Sequence, residues 1–187
     1  MEKKRTKHRS IKVRIMLPVL ILGIVAIVSN LIAIFNIQKV NQNASEIADH
    51  SMTSLTELSS IREQVQQLHN LGLSHAVAIN SKTMIDTVNT IKANEVTLAQ
   101  SLKNYEQYLI EGDKQYYQEM QAQFDELTLA LRRVCAFSAN VQRSLANTAA
   151  STEVAPCVEK ILNDISVIEE HATQAAQEAR AQLSRVY

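Results

Sequence analysis

Between Ile15 and Gln38 the chain carries no charged residue, a run of 24 positions whose core reads I-M-L-P-V-L-I-L-G-I-V-A-I-V. An α-helix rises about 1.5 Å per residue and needs roughly 20 apolar residues to cross about 30 Å of hydrocarbon. The run predicts a transmembrane helix over residues 15–38. Ser29 and Asn30 interrupt it, but single neutral polar groups are tolerated in such a helix. Pro18 is placed in the first turn, where its missing N–H costs least. Seven basic residues, Lys3, Lys4, Arg5, Lys7, Arg9, Lys12 and Arg14, precede the run against one acid, Glu2, a net of +6 over residues 1–14. Residues 15–187 hold 12 basic and 18 acidic residues, so the overall charge of zero conceals a basic arm and an acidic body. A cleaved signal peptide is the rival reading. Its basic start fits, but the apolar run is long and no clear small-x-small site follows. The expectation is an uncleaved anchor, with residues 1–14 in the cytoplasm by the positive-inside rule and residues 39–187 outside.

The outer part carries four runs of 3,4 spacing. The first is Leu58, Ile61, Val65, Leu68, Gly72, His75, Ile79; the second Val88, Ile91, Glu95, Leu98, Leu102, Tyr105, Leu109. The third is Tyr117, Met120, Phe124, Leu127, Leu131, Val134, Ser138, Val141, Leu145; the fourth Val158, Ile161, Ile165, Ile168, Ala172, Ala175, Ala179. Only 3 glycines and 2 prolines are available for turns, too few for a sandwich, a barrel or a doubly wound fold. Gly23, Gly72 and Gly112 stand alone, which excludes Gly-rich phosphate loops. The acidic body lacks a basic stripe, so no nucleic-acid partner is expected.

The fold class is therefore all-α. Asn80-Ser81-Lys82-Thr83 separates the first two runs, with Ser81 or Thr83 as N-cap. Glu111-Gly112-Asp113 separates the next two, with Gly112 just past one helix and Asp113 capping the other. Ser151-Thr152-Glu153, followed by Pro156, is expected to open the fourth helix. Short loops make neighbours antiparallel, giving an up-down-up-down four-helix bundle. No breaker lies between Gly23 and Gly72, so the transmembrane helix is expected to run on into the bundle, about 65 residues or roughly 100 Å. The fourth helix then returns to the depth where a second span is expected, and the chain is read as the N-terminal part of a larger protein.

This layout resembles the sensory half of a methyl-accepting chemotaxis receptor with a four-helix-bundle module. The basic start, the span Ile15–Ile37, the four heptad helices, and Tyr105-Glu-Gln-Tyr108 with Glu111-Gly-Asp113, Tyr116-Tyr117 and Phe124 carry the likeness. It implies a receptor that senses a small molecule outside and shifts one helix against another. It also implies a homodimer joined along the first helix. That helix has a second, mixed stripe of Ala48, Met52, Leu55, Ser59, Arg62, Gln66, His69, Leu73 and Ala76. Two alternatives stay open: the same module on a membrane histidine kinase, and a membrane-anchored structural bundle without a ligand.

No Ser/His/Asp or Cys/His arrangement is recognisable, so the chain is not expected to be an enzyme or to hold a cofactor. His69 and His75 lie on different faces of one helix, and no metal site is expected from His8, His50, His69, His75 and His171. Cys135 and Cys157 are set too far apart along the bundle axis for a disulfide. Glu95 on a seam is expected to pair with Arg132 or Arg133, and His75 to be a hydrogen-bonded core residue. Tyr105, Tyr108, Tyr116 and Tyr117 are read as core packing at the second turn, with their hydroxyls reaching water. Amino-acid receptors of the resembled type hold a carboxylate with arginines on the first helix. Here that stretch offers Arg62, with His69 seven residues on, as the candidate ligand-binding pair. The alternative for Arg62 is an ion pair with Glu57 or Glu63.

Overall fold

The computed structural model describes residues 11–184, with side chains from residue 15 onward. The basic arm falls outside that range, apart from the backbone of residues 11–14. Every element is helical: α1 (Ile11–Val77), α2 (Ser81–Tyr105), α3 (Lys114–Ala139), α4 (Arg143–Ala149) and α5 (Ala155–Ser184).

α1 is one helix of 67 residues, as the lack of breakers implies. Pro18 lies beyond the first turn of the described helix, which starts at Ile11. The proline removes one backbone hydrogen bond without ending the helix. The apolar segment is exposed all round, from Ile15 (64%) through Leu22 (68%) to Phe35 (68%). This stretch, apolar on every face and covered by none of the other described residues, is long and apolar enough to cross a membrane. From Ala44 the helix acquires one buried seam: Ala44, Ser51, Ser54, Leu58, Ile61, Val65, Leu68, Gly72 and His75. The bundle seam thus starts two heptads earlier than Leu58, and its first members are small or polar.

The first turn follows Val77, and Asn80 caps α2: its Oδ1 accepts from the Thr83 backbone N–H at 2.7 Å. The cap is one residue before Ser81, since the asparagine already has the extended backbone that capping requires. α2 buries Ile91, Leu98, Leu102 and Tyr105. Two short 3₁₀ turns, Glu106–Tyr108 and Glu111–Asp113, lead to α3. Gly112 lies inside the second of these with no left-handed backbone, so it is not a helix-ending glycine. Asp113 precedes α3 but makes no capping bond; its carboxylate is used elsewhere.

The third turn corrects the sequence reading. It lies at Asn140–Gln142, not at 151–153. The Gln142 N–H donates to the Phe137 carbonyl at 2.9 Å and the Val141 N–H to the Ser138 carbonyl at 3.0 Å. These are the two bonds of a Schellman ending, with Val141 at its left-handed position, φ 62°. A β-branched residue gives no sequence signal for such a position. Ser151, Thr152 and Glu153 instead sit in a π-helical turn, Ala150–Val154, inside one long fourth helix made of α4 and α5. The wider turn passes the Ala155 N–H back to Ala150, just before Pro156, which has no N–H to give.

Val141 is 76% exposed, so it packs on little while holding a strained backbone. Val141→Gly is expected to raise stability by about 1 kcal/mol, the relief of strain exceeding the added flexibility of the unfolded chain. Thermal unfolding checks this; a loss of stability would mean that the valine side chain is used.

The helices run up, down, up and down. α1 packs along α5 and on α2, α3 packs on α5, and of these neighbouring pairs α2 and α3 meet least. Leu58, Ile61, Leu68, Leu98, Met120, Leu127, Leu131, Ile161, Ile165 and Ile168 fill the shared core. Gly72 lets α1 approach closely there, since a Cβ at this position would stand 2.6 Å from Leu131 Cδ2.

Candidate functional site

The α1–α5 seam is the longest contact of the bundle. Its polar feature is Arg62 on α1. One guanidinium nitrogen lies 2.6 Å from Glu169 Oε2 and 3.0 Å from Ser166 Oγ, and Nε lies 3.4 Å from Glu169 Oε1. This forked grip on a carboxylate is the geometry in which arginine exceeds lysine. Arg62 therefore pairs with neither Glu57 nor Glu63, but with α5. Both side chains are somewhat over a quarter exposed, so water screens the pair, and it contributes at most about 1 kcal/mol. An interaction of that size can be remade during a helix shift.

His69 is half-buried on the same helix, two turns or about 10 Å from Arg62. It makes no hydrogen bond among the described residues. The structure thus joins Arg62 to Glu169 and Ser166, and does not bring Arg62 and His69 together.

The end of the bundle next to the apolar segment, here the proximal end, is closed by a tyrosine cluster. Tyr105 is fully buried, with its hydroxyl 2.7 Å from Ser54 Oγ. Burial pushes that phenol up to about 12, so it stays neutral at physiological pH. Tyr117 donates to the Leu102 carbonyl at 2.9 Å. The hydroxyls of Tyr105 and Tyr117 therefore have hydrogen-bond partners inside the protein and do not rely on water. Tyr105 lies 5.9 Å from Tyr108 and 6.4 Å from Tyr117, ring to ring. His171 Nδ1 lies 2.7 Å from Asp113 Oδ1, tying α5 to the second turn; the Asp113 side chain is 4% exposed. Tyr116 meets the edge of the His171 ring at 6.1 Å.

Toward the other, distal, end, Arg133 Nε reaches Glu153 Oε2 at 3.0 Å. Glu95 therefore lacks the ion pair expected of it: Arg133 is engaged by Glu153, and Arg132 lies close enough to favour the charged carboxylate without bonding it. His75 is buried, and its main-chain carbonyl accepts from Ser138 Oγ at 2.7 Å. Its ring Nδ1 has no partner among the described residues, and burial holds its pKa below the usual histidine value. Cys135 and Cys157 are free thiols. Among the described residues, no three His, Cys, Asp or Glu side chains converge as metal ligands would.

Sequence reasoning missed Arg62–Glu169 and Asp113–His171 because both cross to α5, whose register depends on the third turn. It also missed Ser54–Tyr105, although the seam of Leu58 and Ile61 continues backward by 3,4 steps to Ser54 and Ser51.

Among curated proteins none matches the chain. A family model described as a four helix bundle sensory module for signal transduction matches residues 8–187, covering the apolar segment and all five helices. The four antiparallel stretches, the shared core and this match agree, and the chain belongs to that family of sensory modules.

Proposed function

We propose that the chain is the sensory part of a bacterial transmembrane chemoreceptor and is not itself an enzyme. Residues 1–14 lie in the cytoplasm, the apolar segment crosses the membrane, and the bundle senses a small molecule outside. The observation that carries this reading is the unbroken course of α1 from Ile11 to Val77. A ligand that alters how α5 rides on α1 therefore acts directly on a membrane-crossing rod. Shifts of an ångström or two suffice between packed helices. The weak Arg62–Glu169 clasp is suited to let α5 move and re-engage.

The test is a thermal-shift screen of the whole chain in nanodiscs against amino acids, organic acids and amines. A sensor is stabilised by at least one of them, by about 2.7 kcal/mol at a hundredfold excess over Kd. No response in any class would leave a structural anchor and overturn the sensory reading.

The proposal includes a homodimer along α1, where Met52 and Leu73 are 48% and 42% exposed on the mixed stripe. Met52→Cys in membranes is expected to form a disulfide-linked dimer under mild oxidation. A protein that stays monomeric would remove the dimer from the proposal.

A further inference from the structure

α2 is the least covered helix of the bundle. It lies on α1 and meets α3 only weakly, which leaves an open groove of about 400 Å³ between α2 and α3. Val88 and Val96 of α2 give it apolar walls, and the buried Ile91 of α2 and Leu131 of α3 lie beneath them as its floor. Glu95 is set into this surface. Its Oε1 is shielded from solvent and has no hydrogen-bond partner among the described residues. A shielded acceptor without a donor is costly, and native proteins rarely leave one so.

Two cations line the same groove, Lys92 and Arg132, but neither bonds the carboxylate. Both side chains are exposed, so their charges are largely solvated. Burial accordingly outweighs them and raises Glu95 above the usual carboxylate range. The groove thus lacks one thing: a compact donor, preferably charged, for the Glu95 carboxylate.

We propose that this groove binds a small primary amine with an apolar body, its ammonium donating to the Glu95 carboxylate and its body lying on Val88 and Val96. An ammonium supplies both the donor and the charge, an alcohol only the donor, and a carboxylate neither. The volume lies within the range of small-molecule sites. The groove also reaches the rest of the bundle, because Leu131 is the side chain that packs against Gly72 of α1. The inference rests on the sensory reading for the use made of binding, not for binding itself.

Three probes with one branched apolar body separate the chemistry: 3-methylbutylamine, 3-methylbutan-1-ol and 4-methylpentanoate, each titrated against the whole chain. The amine is expected to bind at least tenfold more tightly than the alcohol, and the carboxylate not to bind. Glu95→Gln is expected to weaken the amine at least tenfold while leaving helicity and the alcohol unchanged. Cys135, a free thiol lining the groove, gives an independent readout: its alkylation is slowed by the amine. Equal affinities, amine binding that survives Glu95→Gln, or an unprotected Cys135 would overturn the site. A ligand from the wider screen that is indifferent to Glu95→Gln would leave the sensory function standing and remove only this groove.

Discussion

Tyr105→Ala is expected to destabilise the bundle by about 3–5 kcal/mol, the range for truncating a buried aromatic residue. Tyr105 has no exposed surface and stands between Tyr108 and Tyr117 at the proximal end. Its loss opens a cavity there and strands the hydroxyl of Ser54, itself 3% exposed. A domain of this size has roughly 5–15 kcal/mol of stability, so the change removes a large share of it. Thermal unfolding of the whole chain should show a fall on the order of 10 °C. Tyr105→Phe keeps the ring and loses only the hydroxyl contact, and is expected to cost about 1 kcal/mol. If both variants cost the same small amount, the ring is not part of the core.

The proximal end also shows what the sequence could and could not convey. The first two turns, at 78–80 and 106–113, fall where Asn80-Ser81 and Glu111-Gly112 signal them. The third lies about ten residues before its expected place. The 3,4 rhythm runs on through Ser138, Val141 and Leu145, although Val141 is the residue that turns the chain. A Schellman ending built on valine has no glycine to announce it. Ser151, Thr152 and Pro156 meanwhile resemble a helix start, but the side chains of Ser151 and Thr152 bond back to the Thr148 carbonyl within a continuous helix.

That single displacement explains most of what was missed at the site. Antiparallel neighbours are matched by reflecting one helix through the turn between them. Reflected through a turn at 152, Asp113 faces roughly position 190, past Tyr187; through the observed turn it faces about residue 171, where His171 binds it. Cys135 and Cys157 stay unpaired under either register, since the corrected one still separates them by about 12 Å along the axis. Glu95 on its seam was legible as costly. Its missing partner was not, because sequence heights bring Arg132 near without showing that α2 stands off from α3.

If the chain senses and signals as proposed, Asn43→Pro is expected to separate sensing from transmission. Asn43 is exposed and lies between the apolar segment, which ends at Gln38, and the seam, which begins at Ala44 and reaches the main core at Leu58. A proline in a helix interior removes the bond to the carbonyl four residues back and clashes with it, at about 3 kcal/mol or more. The helix answers by kinking, typically by more than about 20°. None of the core side chains from Leu58 onward is touched, so the bundle should keep its unfolding temperature within a few degrees and its ligand response in full. Spin labels at Ile34 and Met52 lie 18 residues apart, about 27 Å on a straight helix. Their distance distribution should be narrow in the unaltered protein and broad or shortened in the variant. On the proposed sensory reading, a receptor carrying this module should then bind its ligand and fail to respond. A response that survives alongside a kinked α1 would show that α1 is not the transmitting rod, and would assign the signal to α5 alone.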